Sequence, residues 1–384
     1  MQAIGWKSRF MDEAALQELL SGRRRDVGAR LLRGGLHLAS FGYGAAMRLR
    51  NFAYDHQWLR VTRVDVPVIS LGNITTGGTG KTPMAAWLAG WLGEQGRVPG
   101  LLSRGYRSLG VEPRGKTEDG QAGGLPYVVG NDEKLVLDRL CPGVPHLQQQ
   151  DRVASARRLV DESHCDALIL DDGFQHRRLH RDLDIVLIDA LQPWGYGHVL
   201  PRGLLREPLV GLKRADVVVV TRADQASSEQ RCAVLDQLAR VRGTDAAVQV
   251  AFVPQRLIAL SAGASHEMPL TMEAVRGQRS FAFCGIGNPQ GFARTVASLV
   301  DVGRFDSGLL RVFPDHHHYT ERDLAEVASA AQATRAEIVL TTMKDIVKLR
   351  PKMWDGPPLY AVEIGVEFLA ERELLEDRLK RCLV

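Results

Sequence analysis

The run Gly72-Asn73-Ile74-Thr75-Thr76-Gly77-Gly78-Thr79-Gly80-Lys81-Thr82-Pro83 decides how this chain folds. An apolar stretch at 66–71, short enough for a buried strand, leads into it, and a helical pattern at 83–94 leads out. Glycines in such a turn let backbone N–H groups face inward around a polyphosphate, and the helix start adds its positive dipole end. Thr75, Thr76, Gly77, Gly78, Thr79 and Gly80 form the cradle, Lys81 reaches the β- and γ-phosphates, and the Thr82 hydroxyl ligands Mg²⁺. The usual first glycine of this loop falls at Thr75, so the match is to a Gly-Gly-x-Gly-Lys-Thr variant. A glycine-rich strand-to-helix turn is sometimes only structural; Lys-Thr in register, with these flanks, argues for a nucleotide.

Outward from the loop, apolar runs at 99–103, 167–170, 185–188 and 217–220 alternate with helical patterns such as 152–162. Further runs follow at 248–253, 280–284, 337–340 and 359–364. Alternation of this kind predicts an α/β fold: a P-loop parallel sheet core covered on both faces, with a second, smaller α/β lobe. The expected division is 1–60 as an N-terminal basic helical segment, 61–215 as the P-loop core and 216–384 as the C-terminal lobe closing the cleft. The run at 167–170 ends in Asp171-Asp172-Gly173. A carboxylate there sits at the carboxyl edge of the sheet, where such folds place ligands, so Asp171 is expected to hold the metal and Asp172 to be a second metal-site carboxylate. In isolation, Asp-Asp-Gly is also a common turn.

Residues 11–60 read as helical, with Leu32, Leu36, Tyr43, Met47 and Phe52 three to five positions apart and arginines between them. Gly34, Gly35, Gly42 and Gly44 are expected to break the segment into two helices. A basic amphipathic segment of this kind either lies in a membrane interface, arginines on lipid phosphates, or packs on its own domain with arginines solvated.

Composition excludes several classes. At 384 residues, 45% apolar and 24% charged, the chain is a globular protein of two-domain size. Five scattered cysteines without a Cys-x-x-Cys pair exclude a disulfide framework and a cysteine-rich zinc site. No signal peptide is legible, and no stretch reaches the roughly 20 apolar residues of a spanning helix. Eleven basic residues face five acidic ones through Arg63, whereas the whole chain carries +4, so a basic head sits on a slightly acidic body. That distribution points to an anionic partner at the N-terminal end and away from nucleic acid.

The loop, followed by Ser103-Arg104-Gly105-Tyr106 and Asp171-Asp172-Gly173-Phe174-Gln175-His176, resembles the tetraacyldisaccharide 4'-kinase (lipid A 4'-kinase) family. Leu205-Arg206-Glu207-Pro208, Gly285-Ile286-Gly287-Asn288-Pro289, Phe313-Pro314-Asp315-His316 and Lys344-Asp345 continue the likeness in order. The resemblance implies a lipid kinase that moves the ATP γ-phosphate, with Mg²⁺, to the 4'-hydroxyl of a lipid A disaccharide 1-phosphate. It also implies a peripheral or monotopic place on the anionic cytoplasmic face of the inner membrane, with no obligate protein partner, and so favours the interfacial reading of the head. By the same likeness Asp132 is the catalytic base and His316 its partner from the second lobe; Arg104, Tyr106, Gln175, His176 and Arg206 lie near nucleotide and sugar. Glu207 is expected to support the metal or its waters. The chain departs from the family pattern at Asn131, where glycine is usual, and at Met343, where glutamate is. Without the family, Asp132 reads as a turn or cap residue and His316 as part of a histidine tract.

The competing class is a P-loop GTPase acting as a regulatory or metal-delivery switch, which shares the loop and the sheet. Thr221-Arg222-Ala223-Asp224 faintly resembles the guanine-reading Asn-Lys-x-Asp element, with arginine for lysine and threonine for asparagine; it is read as coincidence.

Overall fold

Residues 13–105, 132–260, 271–300, 305 and 307–384 are described by the structure, a computed structural model. The chain opens with helices α1 (Glu13–Ser21) and α2 (Val27–Asp55). It then alternates through β1 (Val68–Asn73), α3 (Lys81–Glu94), β2 (Pro99–Ser103), α4 (Asp132–Leu140), β3 (His146–Gln148), α5 (Arg152–Ser163) and β4 (Ala167–Asp171). Next come β5 (Leu183–Asp189), β6 (Val217–Thr221), α6 (Ser228–Arg242), β7 (Val248–Ala259), β8 (Ser280–Cys284), α7 (Pro289–Leu299) and β9 (Leu310–Val312). The last elements are α8 (Glu321–Ala333), β10 (Ile338–Thr342), α9 (Met343–Ile346), β11 (Leu359–Ala370) and α10 (Arg372–Cys382).

All of these strands join one sheet, in the order β3-β2-β4-β1-β5-β6-β7-β11-β10-β8-β9. Every described pairing is parallel except β7 with β11. Strands β1 and β4–β6 are Val-, Ile- and Leu-rich because both of their faces are covered. On one face Met84, Leu88 and Leu92 of α3 pack with Leu375 and Leu379 of α10 over Ile69, Leu71, Ile185 and Leu187. The other face is filled by α5 against Leu168 and Leu170 and by α6 against Val186, Val218 and Val220.

The two 12-residue strands β7 and β11 form an antiparallel ribbon that links the halves. β6 holds β7 only through Val248–Val250, and β10 holds β11 only through Leu359–Val362. Between those ends the register shifts at Glu363/Ile364, where Gln255 bulges across Gly365. A Cβ at Gly365 would stand 1.9 Å from the end of the Gln255 side chain, which would have to turn aside to admit it. The ribbon is longer than the apolar runs at 248–253 and 359–364, because Pro254 and Gly365 interrupt the pattern and its middle is covered less completely. β3 and β9, three residues each, are too short to leave a periodic signal.

β6, just past the expected division at 215/216, pairs with β5, and α10 returns to pack in the first half's core. One expectation is corrected. α2 runs unbroken for 29 residues, and the break lies earlier, at Gly22 with its positive φ and at Asp26, whose carboxylate caps the Ala29 N–H at 3.0 Å. Gly44 does not break the helix; it lies buried where α2 faces Val199. α2 docks on the core through polar contacts, Tyr43 to the Arg206 carbonyl at 2.7 Å and Asn51 to Glu207 at 2.8 Å. Its apolar side chains face outward: Leu31 is 74% exposed and Phe41 63%. No described helix is long and apolar enough to cross a membrane.

Candidate active site

The phosphate loop leaves β1 at the carboxyl edge and is pinned from three sides. Asn73 donates from inside to the Gly77 carbonyl and Thr79 Oγ1, at 3.3 and 3.1 Å. Thr76 donates through its N–H to the Leu204 carbonyl at 2.7 Å, and Thr75 bridges Leu205. From the end of β6, Arg222 donates to the Gly78 carbonyl at 2.7 Å while pairing with Asp189. Gly80 takes a left-handed φ of 85° beneath the Phe252 ring, which a Cβ would overlap at 1.9 Å. Lys81 and Thr82 then open α3, as the sequence spacing requires.

Asp171 ends β4 almost fully buried, and its Oδ1 has no hydrogen-bond partner. Burial, and then the charges of Asp172 and Glu133, push its carboxyl up to about 6 against the pull of Lys81 and Arg152. A buried, unpartnered carboxylate oxygen beside the loop is a place for a hard cation, and Thr82 offers a hydroxyl of the same kind. Among the described residues there is no cluster of three or more metal-ligating side chains, so phosphate oxygens and water would complete the shell.

Asp172 is differently engaged. Both of its oxygens accept from Arg206 Nη1, at 2.7 and 2.8 Å, and Lys81 Nζ lies 3.5 Å away. Burial pushes its carboxyl up, but Lys81 and Arg206 outweigh this and hold it below its ordinary value. Glu207, fully buried, accepts from Arg214, Asn51 and Gln175 and fastens α2 to the core. Gln175 also donates to the Asn73 carbonyl at 3.0 Å, so it braces the loop strand.

Asp132 opens α4, and its Oδ2 lies 2.9 Å from His316 Nδ1, a residue 184 positions away in the second half. The same oxygen lies 2.9 Å from Lys348 Nζ, just beyond α9. Burial raises the Asp132 carboxyl, yet the His316 and Lys348 contacts outweigh it and hold the group below its ordinary value. Its neighbour Glu133 is close enough for its charge to act on Asp171. The first turn of α4 therefore brings negative charge within electrostatic reach of Asp171.

A cavity of about 740 Å³ lies between α2 and the loop, lined by Arg50, Arg104, Arg152 and Arg206 with Asp172 and His176. Burial and then Arg152, Arg181, Arg50 and Arg178 push the His176 imidazole down to about 4, so it is neutral, and its Nε2 has no partner. A pocket with this excess of guanidinium suits an anionic ligand. Tyr106 and Asn131 lie outside the described residues. Lys348, Arg222, Arg152 and Arg50 are site residues that local motifs do not reveal; only their position in the fold does.

The model of the family described as tetraacyldisaccharide-1-P 4'-kinase matches residues 32–383. The chain belongs to that family. Among its relatives, the tetraacyldisaccharide 4'-kinase of Anaeromyxobacter dehalogenans (strain 2CP-C) is 39% identical over 381 residues, covering 99% of this chain and 94% of the relative. That of Syntrophus aciditrophicus (strain SB) is 39% identical over 323 residues, covering 82% of this chain and 84% of its own. The crystal structure of an "apo" form LpxK from Aquifex aeolicus in complex with ATP superposes with a TM-score of 0.68 at 27% identity, covering 92% of this chain and 100% of the other. The α/β architecture expected from the sequence is thus the architecture of the 4'-kinase family.

Proposed function

We propose that this chain is an ATP-dependent tetraacyldisaccharide 4'-kinase that transfers the γ-phosphoryl group to the 4'-hydroxyl of a lipid A disaccharide 1-phosphate, with Asp132 as general base. The observation that carries the reading is the Asp132–His316 contact of 2.9 Å, made between the two halves on a helix whose next residue, Glu133, acts electrostatically on Asp171. A sugar hydroxyl is a poor nucleophile, so a carboxylate held against it must accept its proton as the bond to phosphorus forms. His316 donates from Nδ1 and keeps that carboxylate aimed. Lys81 faces the transferring phosphate, and release from Asp172 frees its charge for that role. Thr82 and Asp171 would hold Mg²⁺, which would supply positive charge against the negative charge building on the phosphate. The arginine-lined cavity, open toward α2, receives the anionic sugar, with Arg104 and Arg206 among its donors.

α2 supports a peripheral place on the cytoplasmic face of the inner membrane. Its polar side is spent on the core, leaving Val27, Leu31, Leu38, Phe41 and Leu49 to enter a lipid interface with Arg30 and Arg48 exposed among them. A GTP switch is disfavoured: Thr221, where a guanine-reading side chain would stand, is fully buried with its hydroxyl on the Ile188 carbonyl. Incubation with labelled ATP and the disaccharide 1-phosphate, followed by product analysis, tests the reading. Asp132→Asn should slow transfer by about 10²-fold or more while retaining nucleotide binding; near-normal turnover would remove the proposed base.

A further inference from the structure

Two side chains converge on one oxygen of Asp132. His316 is 54% exposed at its side chain and carries charge only when protonated. Lys348 is different, with its side chain 7% exposed and its ammonium 2.9 Å from Asp132 Oδ2. Burying an ammonium costs several kcal/mol unless an anion accompanies it, and the fold provides a second anion behind it. Asp345, fully buried, lies with Oδ1 3.8 Å from Lys348 Nζ. Asp345 is itself immobilised: Oδ2 accepts from the Gly285 N–H at 3.1 Å and from Thr342 Oγ1 at 2.6 Å, and Oδ1 from the Tyr319 hydroxyl at 2.9 Å. Neither carboxylate gives Lys348 Nζ a well-aligned hydrogen bond, so the group acts through charge and placement.

We propose that Lys348 is a positioning residue for the transfer step: held by Asp345 in the second half, it keeps Asp132 of the first half ionised and turned so that Oδ1 meets the acceptor hydroxyl. This rests on the proposed kinase function. With Oδ2 addressed by both cations, the proton of the acceptor passes to the other oxygen. The arrangement also makes the base depend on docking of the second half, since both cations reach Asp132 from there. His316 alone does not supply this, because its side chain is 54% exposed, whereas Lys348 is buried between the carboxylates of Asp132 and Asp345.

The groups facing Asp132 define the expected titration. They are Glu133 on its own helix, His316 with Asp315 3.9 Å from its Nε2 in the loop after β9, and Lys348 with Asp345 from the α9 segment. Deprotonated Asp132 is the active form, and its ionisation is read at the carboxyl itself, because Asp171, pushed up to about 6, titrates in the acid range of kcat. Lys348→Met keeps the stem and removes the charge. It should lower kcat about 10²-fold, raise KM for ATP much less, and move the ¹³C titration midpoint of the Asp132 carboxyl up by about one pH unit. Lys348→Arg should restore most of the rate and return the midpoint toward its original position. In the Asp132→Asn background, Lys348→Met should cost little more, because the lysine acts through the missing carboxylate. Additive losses, an unmoved Asp132 midpoint, or a methionine variant that loses only melting temperature would overturn the assignment. The ¹³C titration, run on the wild type and on Lys348→Met, needs no turnover. Failure of the wild type to phosphorylate the disaccharide would count against the kinase, whereas an Asp132 resonance indifferent to Lys348 would count against the lysine.

Discussion

Asp171 illustrates how a single residue carries both cost and function. Its folded pKa of about 6 lies above the ordinary carboxylate value, so ionisation at neutral pH works against folding. The penalty is absent in acid, where folded and unfolded states are both protonated, and is fully developed above pH 6. In nucleotide-free protein Asp171→Asn should therefore raise the melting temperature at pH 8 and leave it nearly unchanged at pH 4, while Mg²⁺-dependent transfer is lost; calorimetry at both pH values checks this. Arg222 belongs at the same scale. Its contact with the Gly78 carbonyl fixes that peptide plane, and in a trans peptide this also fixes the direction of the Thr79 N–H. Arg222→Ala should weaken ATP binding about tenfold, read by titration calorimetry, as expected for a charge-assisted hydrogen bond worth roughly 1.5–3 kcal/mol. The Thr221-Arg222-Ala223-Asp224 segment is thus not idle, although Thr221 does not read a base. Lys81, Thr82 and Asp171 were legible because strand, loop and helix place them by spacing alone. Asp132 and His316 entered through family likeness, and Lys348 and Arg222 through neither, since residues brought together by a sheet crossover leave no local pattern.

At the scale of elements, the sequence revealed strands with two buried faces and blurred those without. β2 and β8 fall where their apolar runs do, whereas the ribbon and the edge strands β3 and β9 outrun or escape the pattern. Two elements carry consequences. α4 packs on α9 through Val136, Met343 and Ile346, joined by Ile258 and Ala361 of the ribbon, so the helix bearing Asp132 is gripped by the second half through an apolar contact. Met343 is the position where the family commonly has glutamate; here it is buried in that contact. Met343→Ala should cost about 2–5 kcal/mol of stability and lower kcat by loosening the Asp132 approach, measurable by denaturant titration alongside turnover. α2 presents the reverse case. Replacing Leu31, Leu38 and Phe41 by serine removes exposed apolar area only, so the melting temperature should hold while co-sedimentation with anionic vesicles falls; undiminished vesicle binding would count against the interfacial helix.

For the whole molecule, one continuous sheet runs through both the core and the second lobe, and α10 returns to the core. After β11 returns through the ribbon, α10 packs Leu375 and Leu379, both fully buried, among Ile69, Leu71, Ile185 and Leu187 beneath the phosphate loop's own strand. Arg97, just after α3, adds a hydrogen bond of 2.6 Å to the Leu383 carbonyl. The nucleotide-binding half is therefore completed by the last residues of the chain, with the whole second half inserted between its penultimate and final elements. Each leucine contributes about 1.5–3 kcal/mol by burial, a large share of the 5–15 kcal/mol that holds a typical domain. Truncation after Ala370 should thus destabilise the first half more than the second, although the deleted residues follow the second in sequence. Hydrogen exchange resolves the two cases. Amides of β1 and β5 should lose protection in the truncated protein while those of β8 and β10 keep theirs, and ATP should no longer raise the melting temperature. Protection lost instead from β8 and β10 would mean that α10 serves the half that precedes it, and that the first half stands alone.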